Sequence, residues 1–288
     1  MQEKHTDKEN SGFSPLGNKK GPQIIIIGGG AAGYFTAINA KENNPDLDIT
    51  ILEKGNDVLQ KVKISGGGRC NVTHACFEPK ELVKFYPRGE KELLGPFHQF
   101  MTGDTFEWFE NKGVPLKIED DNRVFPEANT SQAIIDCFQN AVDNLGIKVL
   151  TNCGVNSVYQ QENKWVINTK EQDFEADKVV IAAGSSKRIW ELCETLDHAV
   201  VEPVPSLFTF NINDKRLVDL LGISVPNATI SISGTKLEAS GPLLITHWGM
   251  SGPAVLKLSA FGARILADKN YQYNVEVNWL SRPTDKVL

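Results

Sequence analysis

The chain has 288 residues, of which 41% are hydrophobic and 23% charged, a composition typical of a globular protein of one or two domains. Its formal net charge of -6 argues against a nucleic-acid-binding surface, and no apolar run approaches the length needed to span a membrane. The five cysteines are scattered and odd in number, which is typical of reduced thiols in a cytoplasmic protein. His, Cys, Asp and Glu show no metal-ligand spacing, so we expect no metal site.

The first 22 residues are polar and contain no apolar segment of the kind found in a signal peptide. Their composition predicts a disordered tail over residues 1–22. Two domains are expected after it, one over residues 23–197 and a β-rich one over residues 198–288.

Four consecutive isoleucines, Ile24 to Ile27, predict a strand buried on both faces of a parallel sheet. Gly28, Gly30 and Gly33 follow at G-x-G-x-x-G spacing and open a predicted helix over residues 31–41. In that pattern the first glycine permits a tight turn, the second lets a pyrophosphate approach the backbone, and the third allows close helix–strand packing. The first turn of the helix would offer free N–H groups to the anion.

A second strand is predicted over residues 48–52, and Glu53 stands at its end, 20 residues after Gly33. A carboxylate at this position accepts hydrogen bonds from the ribose hydroxyls of an adenine dinucleotide. The alternative is an ordinary glycine turn beside a surface glutamate. Strand, glycines, helix, strand and acid in this order favour dinucleotide binding.

Further elements are predicted along the rest of the chain from apolar periodicity and turn residues. In chain order they are helices over 80–85, 91–100 and 105–111, strands over 114–118 and 123–125, a helix from Thr130 or Ser131 to about Gly146, and a strand over 147–150; a β-meander over 155–174, a strand over 178–183, strands over 207–212, 229–233 and 243–246, a helix capped by Ser251 and ending near Leu266, and a strand over 273–279.

A second glycine-rich segment, residues 65–71, reads S-G-G-G-R-C-N. Three glycines beside Ser and Asn could expose successive N–H groups as an anion nest, and Arg69 could pair with a phosphate. The alternative is a flexible surface loop. The predicted strand over 178–183 ends in small residues and Gly184, which would let a cofactor pass close to the chain.

Five segments carry a resemblance to a known family: G-G-G-A-A-G (28–33), Glu53-Lys54, S-G-G-G-R-C-N-V-T (65–73), P-S-L-F-T-F (205–210) and T-H-W-G-M-S-G-P-A-V-L (246–256). Together they resemble the BaiN-type NAD(P)/FAD-dependent oxidoreductases, which include aminoacetone oxidase-like flavoproteins. The resemblance implies an α/β fold: a glutathione-reductase-like parallel-sheet FAD-binding domain with an inserted β-rich domain. Family members return to the FAD domain through a C-terminal segment that this sequence does not match, so we expect a C-terminally truncated member whose inserted domain is incomplete.

The resemblance also implies which residues bind the cofactor, FAD. Glu53 would hold the adenosine ribose, Val155 would meet the adenine through its backbone, and the remaining residues would line the phosphate and flavin sides. The full set is Gly28, Gly30, Ala31, Ala32, Gly33, Glu53, Lys54, Ser65, Gly66, Gly67, Gly68, Arg69, Cys70, Asn71, Val155 and Gly184. Because no second G-x-G-x-x-G occurs near residues 185–215, NAD(P)H is expected to dock transiently as electron donor.

The sequence assigns no catalytic residue firmly. His247 and His74 are the candidates for proton donation or substrate binding, with hydrogen-bonded packing as the alternative for both. Cys70 and Cys76 are spaced one residue wider than a redox dithiol pair, which favours two unpaired thiols.

The predicted function is hydride transfer between flavin and NAD(P)H or a small organic substrate. The predicted partners are a small molecule, with neither nucleic acid nor membrane, and the oligomeric state stays open. Two alternatives are a flavin-free NAD-dependent dehydrogenase and a fragment that binds FAD weakly or has no function.

Overall fold

The computed structural model describes residues 21–280. The predicted tail over residues 1–22 lies outside this range except for Gly21 and Pro22. Within residues 21–280, no helix is both long and apolar enough to cross a membrane.

The helices and strands are numbered in chain order. The helices are α1 (Ala31–Asn43), α2 (Gln60–Gly68), α3 (Pro79–Leu82), α4 (Glu90–Phe97), α5 (Thr102–Asn111), α6 (Ser131–Asn144), α7 (Lys187–Thr195) and α8 (Pro253–Asp268), with 3-10 turns at Val83–Phe85 and Lys215–Leu220. The strands are β1 (Gln23–Ile27), β2 (Asp48–Leu52), β3 (Thr73–His74), β4 (Leu116–Ile118), β5 (Arg123–Pro126), β6 (Lys148–Leu150), β7 (Val155–Gln161), β8 (Lys164–Thr169), β9 (Asp173–Ala176), β10 (Lys178–Ile181), β11 (Phe210–Asn211), β12 (Ser224–Ile232), β13 (Glu238–Thr246), β14 (Gly249–Ser251) and β15 (Val275–Asn278).

The chain forms two compact units. Among the described residues, the first contains residues 21–77 and 99–200, and the second contains residues 78–98 and 201–280. The range 23–197 expected for the first domain includes residues 78–98, whereas in the structure this segment belongs to the second unit. Arg88 illustrates the attachment, because its Nη1 donates to the carbonyl oxygen of Ala260 at 2.8 Å.

A parallel sheet with strand order β10-β1-β2-β6 is the centre of the first unit. Ile25, Ile26 and Ile27 of β1 are buried and Ile24 is half-buried; the strand has a parallel neighbour on each side, β2 and β10. One core cluster includes Ile26, Ile38, Ile51 and Phe138, and another includes Ile25, Ile27 and Ile167. The predicted α/β fold with a parallel sheet is confirmed.

Two antiparallel sheets complete the first unit, β7-β8-β9 and β3-β5-β4. The first is the predicted β-meander. Helix α6 begins where Thr130 accepts a hydrogen bond on its Oγ1 from the N–H of Gln132 at 3.3 Å, as an N-cap residue does. Its apolar stripe, including Ile134 and Phe138, is buried.

The second unit contains an antiparallel sheet with strand order β11-β14-β13-β12-β15. Helix α8 covers it, and Ala254, Leu258 and Leu266 are buried with residues of the sheet. The sequence placed the cap of this helix at Ser251. That prediction is wrong, because Ser251 ends β14 and Gly252 is the N-cap residue, with Pro253 in the first turn.

Candidate functional site

The loop after β1 has a backbone that only glycine accommodates at its first position. Gly28 has φ +118°, and a Cβ there would lie 2.6 Å from the carbonyl oxygen of Ala182, at the end of the neighbouring strand β10. Its N–H donates to the carbonyl oxygen of Leu52 at 2.8 Å. The loop is therefore held against the strands on both sides of β1.

The start of helix α1 packs directly on this loop. A Cβ on Gly33 would lie 2.0 Å from the carbonyl oxygen of Gly28, so no larger residue fits without moving the backbone. At Gly30, the N-cap residue, a Cβ would meet nothing within 4 Å, and no side chain caps the helix. Ala31 and Ala32 are exposed. The start of α1, whose first N–H groups have no partner within a helix, is therefore exposed at Ala31 and Ala32, which suits an anionic group.

The carboxylate of Glu53 supports the same loop from the end of β2. Its Oε2 accepts a hydrogen bond from the N–H of Gly29 at 2.8 Å, and its Oε1 accepts one from the N–H of Gly55 at 2.7 Å. An ionised carboxylate has about four acceptor sites. Glu53 can therefore hold the loop and still accept hydrogen bonds from ribose hydroxyls.

The predicted adenine side lies beside Glu53. The N–H of Cys153 donates to the carbonyl oxygen of Glu53 at 2.8 Å, which brings the start of β7 to this loop. A Cβ on Gly154 would lie 3.5 Å from the Cβ of Lys54, and Val155 is buried next to it. The structure thus brings Lys54 and Val155 together, and their contact with adenine stays a prediction.

The second glycine-rich segment breaks helix α2. Ser65 leaves the helical region, and Gly66, Gly67 and Gly68 have φ between +56° and +84°. A Cβ on Gly66 would lie 2.7 Å from the backbone nitrogen of Asn71, whereas Gly67 and Gly68 face open space. Asn71 in turn accepts a hydrogen bond on its Oδ1 from the N–H of Val124 at 3.2 Å, which fixes the loop to β5.

Arg69 has partners of its own in the structure. Its Nη1 lies 2.6 Å from Oε1 of Glu119 and 3.2 Å from Oδ1 of Asn129, and its guanidinium lies 3.9 Å from the centre of the Phe125 ring. A carboxylate therefore neutralises this charge already. Phosphate binding by Arg69 stays a prediction.

Cys70 is 7% exposed and has φ +61°. Burial raises the pKa of its thiol, and a hydrogen bond with the Ser65 side chain opposes that shift. The five cysteines all lie in the described range, and no disulfide joins any two of them there.

We expect Cys70 to resist alkylation, because the thiolate is the reactive form and burial disfavours it. Iodoacetamide at neutral pH should label the half-buried Cys193 well before Cys70, as peptide mass spectrometry would show. In urea both should react at similar rates. Fast labelling of Cys70 in the folded protein would contradict this prediction.

The two candidate histidines lie in different units. His74 ends β3 and uses its carbonyl oxygen to accept a hydrogen bond from Oγ1 of Thr102 at 3.0 Å. His247 is exposed, and its ring meets that of Trp248 edge to face at 4.4 Å. Catalysis by either residue stays a prediction. No cluster of three His, Cys, Asp or Glu side chains suited to a metal occurs within residues 21–280.

Sequence reasoning did not find one charged group at this edge of the sheet, Lys61. Its Nζ donates to Oγ of Ser185 at 3.2 Å, just after Gly184, which has φ +64°. The two residues are 124 positions apart, and a lysine four residues before Ser65 forms no recognisable motif. The proximity of Lys61 and Ser185 becomes visible only when β10 is paired with β1.

A cavity of about 1200 Å³ lies in the second unit. Residues of both edge strands, β11 and β15, contribute to its wall. Its lining is rich in aromatic rings: Phe208, Phe210, Tyr271, Tyr273 and Trp279. Burial raises the pKa of Tyr273 to about 12, so its hydroxyl stays protonated at neutral pH.

The arrangement in the first unit fits FAD. The exposed first turn of α1 at Ala31 and Ala32, the open space beside Gly30 and the carboxylate of Glu53 at the end of β2 supply what a diphosphate and a ribose need. These groups all lie at the carboxyl ends of parallel strands, where ligands of such sheets bind.

Comparison with known proteins agrees with this geometry. The 3-dehydro-bile acid delta(4,6)-reductase of Clostridium scindens is 25% identical over 268 residues, which are 90% of this chain and 64% of that protein. The ribosomal RNA dihydrouridine synthase of Haemophilus influenzae is 27% identical over 251 residues, 82% of this chain and 61% of that protein. The chain thus spans less than two thirds of the length of these curated relatives.

A solved structure, THI4 of Thermovibrio ammonificans, superimposes with a TM-score of 0.41 at 14% identity over 61% of each chain. The profile of the HI0933-like protein Rossmann domain matches residues 22–260, most of the chain. The chain therefore belongs to the HI0933-like Rossmann-domain family, whose cofactor is FAD.

Proposed function

We propose that this chain is part of an FAD-dependent oxidoreductase that transfers hydride between NAD(P)H or a small organic substrate and the flavin. The observation that carries the proposal is the loop at Gly28 to Gly33, whose backbone excludes side chains where it packs and leaves the start of α1 open. Membership of the HI0933-like family supports the same cofactor.

In this proposal the protein binds and orients, and FAD supplies hydride acceptance and donation when bound. The N–H groups of the first turn of α1 bind the diphosphate, aided by the positive end of the helix dipole. Glu53 holds Gly29 and Gly55 in place and accepts hydrogen bonds from the ribose. The end of β10 lets the cofactor pass close to the backbone at Gly184.

A small-molecule substrate is favoured by charge. The curated relatives are named for substrates as different as a bile acid and ribosomal RNA, so likeness to them selects neither. The formal net charge of -6 disfavours RNA, because like charges repel. The cavity of the second unit combines aromatic rings with polar side chains, a lining that organic ligands use.

The experiment is a titration of the purified chain with FAD, followed by anaerobic addition of NADH or NADPH. We expect saturable binding, seen as a change in flavin fluorescence, and then loss of the flavin's visible absorbance with at least one of the two donors. A chain that binds NAD+ but not FAD would favour a flavin-free dehydrogenase instead. If the chain bound FAD but neither NADH nor NADPH reduced it, the proposed electron donor would be wrong and the assignment of FAD as cofactor would be retained.

A second experiment uses a variant that should fold normally but should not bind the diphosphate of FAD. Gly30→Glu places its Cβ in open space, so the domain should fold, but it brings a negative charge to the diphosphate position. We expect this variant to retain the circular dichroism spectrum of the parent and to lose FAD binding. Unchanged FAD affinity would show that the ligand does not use the start of α1.

A further inference from the structure

Among the residues that the structure describes, the ammonium group of Lys61 has no carboxylate partner. Its contact is the neutral hydroxyl of Ser185, 3.2 Å from Nζ. None of the ion pairs formed within residues 21–280 includes Lys61. By contrast, Arg69 is paired with Glu119 at 2.6 Å.

Backbone hydrogen bonds fix where Lys61 lies. The N–H of Leu59 donates to the carbonyl oxygen of Gly29 at 2.8 Å, which holds the start of α2 against the loop after β1. Leu59 is 1% exposed, so this attachment is buried, and Lys61 follows two residues later. Its position is therefore set by the same loop that opens α1.

The other end of the Lys61 side chain reaches the neighbouring strand. A Cβ on Gly184 would lie 3.6 Å from Nζ of Lys61, and Gly184 follows β10. Strand β2, which follows β1 in the chain, lies on one side of β1, and the much later strand β10 lies on the other, so the strand order reverses at β1. Ligands of open parallel sheets bind in the crevice at such a point. Lys61 borders that crevice.

The charges around the crevice favour a positively charged side chain that binds the diphosphate. The diphosphate of FAD is anionic, and Glu53 adds a further negative charge beside the loop. The start of α1 contributes roughly half an elementary charge of the opposite sign. Exchanging a neutral hydroxyl for a phosphate oxygen keeps the hydrogen bond of the lysine and adds the attraction between opposite charges.

We propose that Lys61 binds the diphosphate of FAD, and that it exchanges the hydroxyl of Ser185 for a phosphate oxygen when the cofactor enters. The proposal rests on the FAD assignment and is independent of which substrate the enzyme reduces. It makes Lys61 a cofactor-binding residue in addition to those predicted from the sequence.

The test is calorimetric titration of Lys61→Met with FAD and with ADP, which carries a diphosphate and no flavin. We expect the Kd to rise about ten- to thirtyfold for both ligands, since a charge-assisted bond is lost. The salt dependence of FAD binding should also weaken, because one cation fewer is screened. Lys61→Arg should retain most of the affinity.

Lys63→Met is the matched control, because Lys63 is also an exposed lysine of helix α2. The Kd of this variant for FAD should stay within about twofold of the parent. Thermal unfolding without ligand checks that each variant is folded. Ser185→Ala releases Lys61 and should bind FAD at least as tightly as the parent.

Two results for Lys61→Met overturn the proposal while leaving the cofactor assignment intact. One is an FAD Kd within about twofold of the parent, and the other is weakened FAD binding with unchanged ADP binding, which would place Lys61 at the flavin. If the parent chain itself binds neither FAD nor ADP, the cofactor assignment and the role of Lys61 fall together.

Discussion

Replacing Gly33 by alanine should lower the free energy of unfolding by about 3 kcal/mol and abolish FAD binding. The added Cβ would lie 2.0 Å from the carbonyl oxygen of Gly28, and both atoms belong to backbone that cannot move independently. Relief requires α1 to shift away from β1, where Ile26 lies 3.5 Å from the same Cβ position. Urea unfolding gives the stability, and FAD titration gives the affinity.

Gly30→Ala is the control for this substitution, since it adds the same methyl group to the same loop. Gly30 has φ -93° and an open Cβ position, so the cost in stability should stay below about 1 kcal/mol. FAD affinity should still fall, because the methyl group enters the space that a diphosphate would use. Equal destabilisation by the two alanines would contradict the packing argument.

Helices and strands whose bounds depend on local sequence pattern could be predicted from the sequence. Strand β2 has the predicted bounds, and α1 begins at the predicted residue, because apolar runs and glycine spacing act over a few residues. Helix α6 also begins at its predicted cap. These are the elements that place Gly28, Gly33 and Glu53, so the core of the candidate site was predictable.

Helices α2 and α7 were missed for a local reason. In α2, residues 60–64 are followed at once by Ser65 and three glycines, a composition that predicts a loop. Contacts distant in sequence hold these residues as a helix: the N–H of Leu59 donates to the loop after β1, and Oγ of Ser131 at the start of α6 donates to the carbonyl oxygen of Lys63. Helix α7 follows a similar Gly-Ser segment at residues 184–186.

Partners far apart in sequence were beyond prediction. Arg69 pairs with Glu119, 50 residues away, and Lys61 contacts Ser185, 124 residues away. The residue types alone made Arg69 the candidate cation for a phosphate. The structure shows that a carboxylate already pairs with Arg69, whereas no carboxylate of the described part of the chain pairs with Lys61. The same limit applies to residues 78–98, whose helical pattern does not reveal that they pack with the second unit.

Replacing Glu53 by alanine should raise the Kd for FAD on the order of a hundredfold and lower the free energy of unfolding by about 2 kcal/mol. Two backbone N–H groups, of Gly29 and Gly55, lose their acceptor at once. The loss of stability is measurable without ligand, which separates support of the loop from contact with the ribose. Glu53→Gln keeps one acceptor oxygen and should fall between the parent and the alanine variant in both measurements.

Glu42→Gln is the matched control, because it also removes a carboxylate in the first unit. Glu42 forms a surface ion pair with Lys112 at 2.6 Å, and such pairs contribute less than about 1 kcal/mol. If Glu53→Ala were as stable as this control and bound FAD as the parent does, the end of β2 would not be part of the cofactor site. If stability fell while affinity did not, Glu53 would support the loop without contacting the ribose.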